Sequence, residues 1–224
     1  MRRISLIEDV KRVGVRPSSG KLDVLDWLEI WENSATYFDG DRRHGYGGYH
    51  YDGRWQSTVE KLIETFSLDD TSSLLDVGCA KGFLVNDFAS DSRVGEAIGL
   101  DISLYALIQG KRAGMKGRFF CANATQIPFP DKYFSLVFSK DSLHNILDEG
   151  ELIAALSEIE RVGQQAWIRV GAYNTSTQKQ VIDQWATFAT SYFSTQKWHE
   201  LFGLAGYSGH YDWFHPTEII EDVR

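Results

Sequence analysis

The stretch that decides the fold is Leu74–Phe83, which reads Leu-Leu-Asp-Val-Gly-Cys-Ala-Lys-Gly-Phe. Its apolar start is typical of a buried strand, and Asp76 places an acid near the strand end. The small residues Gly78, Ala80 and Gly82 then let the backbone approach a ligand without a β-carbon clash. A helix that begins after this loop presents unpaired N–H groups and the positive end of its dipole, which suit a carboxylate. The stretch therefore predicts a strand, a ligand-binding loop and a helix.

The spacing of the small residues discriminates between nucleotide cofactors. A dinucleotide-binding loop follows G-x-G-x-x-G, and its third glycine lets the helix pack closely on the strand. Phe83 occupies the position of that third glycine, and the loop has no P-loop lysine pattern. The sequence therefore disfavours NAD, FAD and ATP.

Strands and helices alternate after this motif. The predicted strands are Leu74–Val77, Ala97–Asp101, Arg118–Ala122, Leu136–Ser139, Ala166–Val170 and a less regular Tyr207–Phe214. The predicted helices are Phe83–Ala89, Ser103–Ala113, Glu149–Arg161, Gln178–Ala189 and Trp198–Leu204. Strands that are apolar on successive residues indicate a parallel sheet covered on both faces. We therefore predict a doubly wound, Rossmann-like α/β sheet that is mainly parallel, with helices on both faces.

Residues 1–66 are predicted to form an N-terminal extension of a single domain that spans residues 1–224. The apolar residues that predict its first helix are Leu22, Leu25, Trp27, Leu28, Ile30 and Trp31. The segment Tyr37–Trp55 is rich in glycine and aromatic residues without a helical period, so it is predicted to be an ordered loop. A further helix is expected over Ser57–Phe66 because its apolar residues recur at helical spacing.

Three more stretches follow the first motif in register. Gly99–Ser103 carries Asp101 at a strand end, 19 residues after Gly82. Asn123–Phe129 reads Asn-Ala-Thr-Gln-Ile-Pro-Phe, and Tyr133–Asn145 contains the fourth strand. Together the four stretches resemble the class I S-adenosylmethionine-dependent methyltransferase superfamily, whose first motif is [DE]-x-G-x-G-x-G.

The resemblance implies a seven-stranded methyltransferase sheet that binds S-adenosylmethionine at its carboxyl edge. The loop after the first strand would hold the methionine part, the acid after the second strand the ribose, and the third stretch the adenine. The cofactor-binding residues so implied are Asp76, Gly78, Cys79, Ala80, Gly82, Asp101, Ile102, Asn123, Ala124 and Ser139. Two of them depart from the usual pattern, since Ala80 replaces a glycine and Asn123 replaces an acid.

The expected acceptor side carries titratable and aromatic residues. His144 is the candidate base because histidine titrates near neutrality, although it could equally pack and shape the pocket. Asp141 is a second catalytic candidate at the same strand end. Arg54 could pair with the cofactor carboxylate or form a surface salt bridge. The aromatic residues of the predicted loop are Tyr46, Tyr49, Tyr51 and Trp55, and they are expected as a lid, an acceptor platform or a plain hydrophobic cluster.

The charge limits the classes of partner. The formal net charge is −8 and the pI is near 5.2, and basic residues do not cluster beyond pairs. Because nucleic-acid affinity comes largely from phosphate neutralisation, nucleic acid is not expected as a partner. No apolar stretch approaches the roughly 20 residues that span a bilayer, so no membrane partner is expected. The sequence does not indicate an oligomeric state.

The cysteines and one histidine cluster were also considered as chemical sites. Cys79 and Cys121 are expected as small buried sheet residues, and two buried thiols without an export signal suggest a cytoplasmic protein. His210, Asp212 and His215 lie close together, but a strand would place His215 on the opposite face from the other two. No metal site is therefore expected.

These observations predict S-adenosylmethionine-dependent methyl transfer to a small-molecule acceptor by direct in-line displacement. The pattern of the glycine-rich and aromatic segment Tyr37–Trp55 resembles an N-terminal element of some bacterial small-molecule methyltransferases, so a sugar is one of several acceptors considered. Two alternatives remain open: a non-catalytic cofactor-binding protein, and an enzyme that uses the same cofactor for another group transfer.

Overall fold

The computed structural model describes residues 1–7, 12–13, 23–185, 191–215 and 220–221. Its strands are β1 (Arg12–Val13), β2 (Ser73–Val77), β3 (Glu96–Asp101), β4 (Arg118–Cys121), β5 (Phe134–Lys140), β6 (Gly163–Tyr173), β7 (Phe193–Ser194), β8 (His210–Phe214) and β9 (Ile220–Glu221). Its helices are α1 (Val24–Trp31), α2 (Ala35–Asp39), α3 (Gln56–Phe66), α4 (Phe83–Phe88), α5 (Leu104–Arg112), α6 (Glu149–Val162), α7 (Ser176–Trp185) and α8 (Thr195–Leu204). A 3₁₀ turn, Leu143–Asn145, follows β5.

Seven strands form one sheet in the order β4-β3-β2-β5-β6, with both β7 and β8 paired to β6. The pairings among these strands are all parallel. The chain enters at β2, moves outward to β4, and then returns to build the other half from β5. This arrangement confirms the doubly wound, seven-stranded sheet. Ligands of such sheets bind outside the carboxyl ends of the strands, at the point where the winding reverses.

Successive residues of the central strands pack against opposite layers of helices. Leu74 and Leu136 belong to the core beneath α3 and α4, whereas Leu75 and Val137 belong to the core beneath α6 and α8. All four side chains are fully buried. Each contributes roughly 1.5–3 kcal/mol through removal of apolar surface from water. The continuous apolar runs in the sequence arise because both faces of the sheet are covered.

The N-terminal residues are built into this sheet. Ile4 N–H donates to the carbonyl of Tyr211 at 2.9 Å, and the indole N–H of Trp167 donates to the carbonyl of Ile4 at 2.9 Å. Further along, α3 packs on α4 beside the core. The division of the chain into one domain with an extension at residues 1–66 stays a prediction.

Several element boundaries differ from those expected. The structure extends the fifth predicted strand to Gly163–Tyr173 and shortens the last one to His210–Phe214. The predicted loop begins three residues before the observed one, because Tyr37–Asp39 form the end of α2. Leu22 and residues 186–189, at the ends of two predicted helices, lie outside the described residues. No helix in the described ranges is long and apolar enough to cross a bilayer.

Candidate active site

The loop after β2 turns sharply because three of its residues adopt left-handed backbone conformations. The φ angles are +81° at Gly78, +52° at Ala80 and +75° at Gly82. The N–H groups of Gly78 and Cys79 both donate to the carbonyl of Leu100, at 2.7 and 3.1 Å. This contact fastens the loop to the end of β3. It leaves Gly78 and Ala80 on the wall of a cavity.

The glycines of this region also allow neighbouring elements to approach closely. A Cβ on Gly78 would lie 2.3 Å from the Cβ and the Oγ of Ser142, and a Cβ on Gly82 would lie 2.1 Å from the ring of Phe119. Gly99 is equally close to Cys79, whose Sγ would lie 2.6 Å from an added Cβ. Gly78 therefore lines the cavity and also allows the loop to pack against Ser142, whereas Gly82 allows packing against Phe119.

Asp101 ends β3 and is held by two backbone donors. The N–H of Ala80 donates to Oδ2 at 2.7 Å, and the N–H of Ser103 donates to Oδ1 at 2.8 Å. Burial raises the pKa of Asp101 above its ordinary value, although these backbone hydrogen bonds act against the rise. The side chain lies on the cavity wall beside the β2 loop. Such a fixed carboxylate can accept hydrogen bonds from a pair of hydroxyl groups.

Asp76 lies one strand away and is also buried. Burial, and next the nearby Asp101 carboxylate, raise the pKa of Asp76 to about 8, while the Lys140 ammonium acts against the rise. The Asp101 carboxylate disfavours ionisation of the buried Asp76 carboxyl, so this corner of the site is short of positive charge. A ligand that brings an ammonium or sulfonium group would relieve the shortage, whereas a pyrophosphate would add to it. The residues present therefore fit S-adenosylmethionine better than a dinucleotide.

A cavity of about 440 Å³ opens at the carboxyl ends of β2, β3 and β5. This size is within the range of small-molecule sites. Seven of the predicted site residues line it: Gly78, Ala80, Asp101, Ile102, Asn123, Ala124 and Asp141. Asp76, Cys79, Gly82, Ser139, His144 and Arg54 do not line it.

The opposite wall comes from the N-terminal residues and is largely aromatic. Trp31 at the end of α1, Tyr37 and Phe38 in α2, and Tyr46 line the cavity. The rings of Phe38 and Tyr46 stack with centroids 5.7 Å apart and an interplanar angle of 6°. We call the segment from Ala35 to Tyr49 the aromatic cover. Sequence reasoning found Tyr46 but missed Trp31, which it used only to predict a helix, and Tyr37 and Phe38, which it placed in the loop.

The remaining aromatic residues of the predicted lid face the protein. Tyr49 packs on Phe83 with ring centroids 4.6 Å apart, and the Tyr51 hydroxyl donates to Asp87. Trp55 lies beneath the Lys140 ammonium, 5.2 Å from the ring centroid. These three residues attach the segment to the sheet domain and leave Tyr46 at the cavity.

Asp141 follows β5 in a left-handed conformation, with φ +53°, on the cavity wall. Its carboxylate is ion-paired with Lys140 and lies 3.8 Å from the Nε of the fully buried Arg169. Although burial acts to raise it, the charges of Lys140 and Arg169 lower the pKa of Asp141. Asp141 is thus a fixed anion at the cavity.

His144 lies behind the cavity wall. It is 5% exposed, its Nδ1 accepts a hydrogen bond from the N–H of Gly171 at 3.0 Å, and its ring stacks on Tyr192 at 4.8 Å. Burial lowers the pKa of His144 to about 4. These contacts are those of the packing alternative, and the role of His144 as a base stays a prediction.

Three other predicted cofactor residues lie away from the cavity wall. The Ser139 hydroxyl donates to the carbonyl of Val77 at 2.8 Å and contacts the hydroxyl of Ser142 at 2.9 Å. Cys79 is buried, and burial raises the pKa of its thiol, which disfavours the reactive thiolate. Arg54 forms an exposed ion pair with Asp52 at 2.5 Å, as in its salt-bridge alternative.

One expectation about the cysteines is wrong. Cys121 is exposed rather than buried, because it ends β4 at the open edge of the sheet. The histidine cluster near the C-terminus has structural partners: Asp212 pairs with Arg3 at 2.8 Å, and His215 contacts the carbonyl of Ala172 at 2.7 Å. Within the described part of the chain, no group of three or more histidine, cysteine or acidic residues is arranged to hold a metal ion.

Comparison with known proteins supports the same class. Residues 75–166 match the family model described as a methyltransferase domain. A protein of Geobacillus sp. (strain WCH70), named as a methyltransferase, is 28% identical over 107 residues. That alignment covers 47% of this chain and 43% of the relative, so the chain spans less than half the length of the curated relative it matches.

Solved structures agree on the fold. YcgJ from Bacillus subtilis is 20% identical with a TM-score of 0.53, and the match covers 66% of each chain. The [4+2]-cyclase SpnF is 21% identical with a TM-score of 0.55, and the match covers 87% of this chain and 75% of SpnF. At these identities the likeness shows the fold alone. The family-model match over residues 75–166 falls within this sheet, so this part of the chain is a methyltransferase domain with the class I fold.

Proposed function

We propose that this chain transfers a methyl group from S-adenosylmethionine to a small molecule bound in the cavity beneath the aromatic cover. The observation that carries the proposal is the Asp101 carboxylate, fixed by two backbone donors on the cavity wall beside Gly78 and Ala80. When bound, S-adenosylmethionine supplies an activated methyl group. The work left to the protein is therefore to bind, orient and exclude water.

Different residues of the cofactor half of the cavity bind the ribose, the methionine part and the adenine. Asp101 accepts hydrogen bonds from the ribose hydroxyls, and the backbone of Gly78 and Ala80 borders the methionine part. The apolar Ile102 and Ala124, together with the amide of Asn123, border the adenine. All six residues line one continuous cavity. Asp76, Cys79, Gly82 and Ser139 maintain the shape of the loop and its charge.

The acceptor occupies the half between β5 and the aromatic cover. Asp141 stays ionised beside Lys140, so its carboxylate accepts a hydrogen bond from the hydroxyl or amine that is methylated. This hydrogen bond orients the lone pair of the acceptor atom. Tyr37 and Tyr46 offer ring faces and hydroxyls to a sugar or another small polar metabolite. The cavity of about 440 Å³, shared with the cofactor, favours a small acceptor over a macromolecule.

Calorimetry with S-adenosylhomocysteine, NAD and ATP tests the cofactor half. We expect S-adenosylhomocysteine to bind and the other two not to bind. Asp101→Asn should weaken S-adenosylhomocysteine binding by roughly 10-fold to 100-fold, because an amide replaces a charged acceptor of hydroxyl hydrogen bonds. Asp183→Asn, which changes an exposed α7 carboxylate, is the matched control. Tight NAD binding without S-adenosylhomocysteine binding would refute the proposal.

Turnover tests the reaction itself. Incubation with S-adenosylmethionine and a panel of sugars and amines should yield S-adenosylhomocysteine only when the acceptor is present. Mass spectrometry then separates a methylated product from a product of aminopropyl transfer. Cofactor binding with no product from any acceptor would favour the non-catalytic alternative.

A further inference from the structure

Three elements meet at a partly buried ion pair next to the cavity. Lys81, in the loop after β2, places its ammonium 2.5 and 2.8 Å from the two carboxylate oxygens of Asp39 in α2. The same ammonium donates to the carbonyl of Tyr49 at 2.9 Å. The hydroxyl of Tyr105, in α5, donates to Asp39 at 2.8 Å. The loop, the aromatic cover and α5 are thus joined at one carboxylate.

The ammonium of the pair is shielded from water, whereas the carboxylate is partly exposed. The side chain of Lys81 is only 7% exposed and that of Asp39 is 26% exposed. Although burial acts to raise it, the hydrogen bond from Lys81 lowers the pKa of Asp39. Loss of Asp39 would leave the buried Lys81 ammonium without its counter-ion, which costs far more than loss of an exposed pair. The ion pair therefore holds its two elements in one relative position.

The backbone of Lys81 is itself held in place. A Cβ on Gly110 in α5 would lie 2.2 Å from the Lys81 carbonyl oxygen, so the loop and α5 are in close contact at this point. On the side facing the cavity, Phe38 packs with Ala80 and Ala106 in one small buried cluster. The ion pair thus connects a fixed loop to a cover that is otherwise attached by few buried residues.

The elements joined by the pair are also the walls of the cavity. Ala80 adjoins Lys81, Tyr37 and Phe38 precede Asp39, and all three line the cavity. We propose that Lys81 is a positioning residue: its ion pair with Asp39 fixes the aromatic cover at the distance from the β2 loop that the cofactor and acceptor require. The part of this inference that concerns cofactor and acceptor binding rests on the proposed function. The part that concerns the position of the aromatic cover does not.

Limited trypsin digestion tests the cover without any ligand. Arg42, Arg43 and Arg54 are the trypsin sites in and next to the cover. Lys81→Met should speed cleavage at these sites by about tenfold or more, because cleavage follows the population of the opened segment. Lys179→Met removes an exposed lysine from α7 and is the matched control, expected to be cleaved at the wild-type rate. Asp39→Asn, which keeps the side-chain shape, should resemble Lys81→Met and decides the question if Lys81→Met does not fold.

Calorimetry with S-adenosylhomocysteine gives the second readout. Lys81→Met and Asp39→Asn should both bind S-adenosylhomocysteine about tenfold or more weakly, because the cavity walls are no longer held together. Wild-type cleavage rates in a folded variant, cleavage accelerated evenly along the chain, or faster cleavage with unchanged affinity would each overturn the inference. If the wild type itself does not bind S-adenosylhomocysteine, the proposed function fails, whereas the cleavage pattern still decides whether Lys81 fixes the cover.

Discussion

Gly78→Ala tests the close approach of the β2 loop to Ser142, which shapes one wall of the candidate site. Gly78 has φ +81°, and its added Cβ would lie 2.3 Å from the Cβ and the Oγ of Ser142. The Ser142 hydroxyl cannot shift freely, because it contacts the carbonyl of Val77 at 3.1 Å and the hydroxyl of Ser139 at 2.9 Å. The substitution therefore forces β5 away from the β2 loop, or the loop away from β3.

Gly114→Ala provides a control with the same backbone angle and no clash. Gly114 also has φ +81°, and nothing lies within 4 Å of its added Cβ. The left-handed conformation should cost roughly 1–2 kcal/mol of unfolding free energy in either variant. Overpacking against Ser142 should cost roughly 1–3 kcal/mol more, and only at Gly78. We expect a total loss of about 2–5 kcal/mol for Gly78→Ala.

Urea unfolding monitored by tryptophan fluorescence measures both losses, and calorimetry with S-adenosylhomocysteine measures binding. Gly114→Ala should bind normally, whereas folded Gly78→Ala should not bind measurably. The Ser142 contact makes loss of stability part of the expected result for Gly78→Ala. Equal stability of the two alanine variants would refute the packing argument, and normal affinity in folded Gly78→Ala would refute the cofactor role.

Two further substitutions test the buried titratable groups. His144→Ala should lower the free energy of unfolding by roughly 1–3 kcal/mol, because it leaves the Gly171 N–H unsatisfied, while affinity for S-adenosylhomocysteine stays unchanged. The folded-state pKa of His144 is about 4, below the unfolded value of about 6.5, so the wild type should lose stability relative to the variant as the pH falls through that window. A turnover loss of about 10² or more in folded His144→Ala would instead restore the role of a base. The folded-state pKa of Asp76 is about 8, above its unfolded value of about 3.9, so the wild type loses stability as the pH rises between them. Asp76→Asn should therefore gain stability relative to the wild type on going from about pH 5 to about pH 8, and urea unfolding that shows a constant difference would contradict the raised pKa.

The sheet and its cofactor loop were predictable because their determinants are local. Apolar runs give the strands, and glycines at positive φ give the turn after β2. The position of Asp101 at the end of β3 was also predictable, because the carboxyl ends of parallel strands lie at one edge of the sheet. The carboxyl edge therefore brought Gly78, Asp101 and Asn123 to one cavity, as the spacing of the motifs predicts.

The acceptor side was harder to predict because it depends on side-chain direction and on distant contacts. Asp141 and His144 are three residues apart, yet only Asp141 lines the cavity. The 3₁₀ turn after β5 directs His144 back towards Gly171. Arg54 likewise has its carboxylate partner two residues away in Asp52, which a motif does not reveal.

The sequence by itself determined the order of strands and helices, the position of the turn after β2 and the acid that follows β3, because each depends on periodicity or on the backbone freedom of a single residue. Only the tertiary structure decided which groups face the cavity. The aromatic cover comes from α2, and its Asp39 meets Lys81 across 42 positions of sequence. Such a contact has no local pattern, since it forms only when the sheet has brought the two segments together and buried the Lys81 side chain.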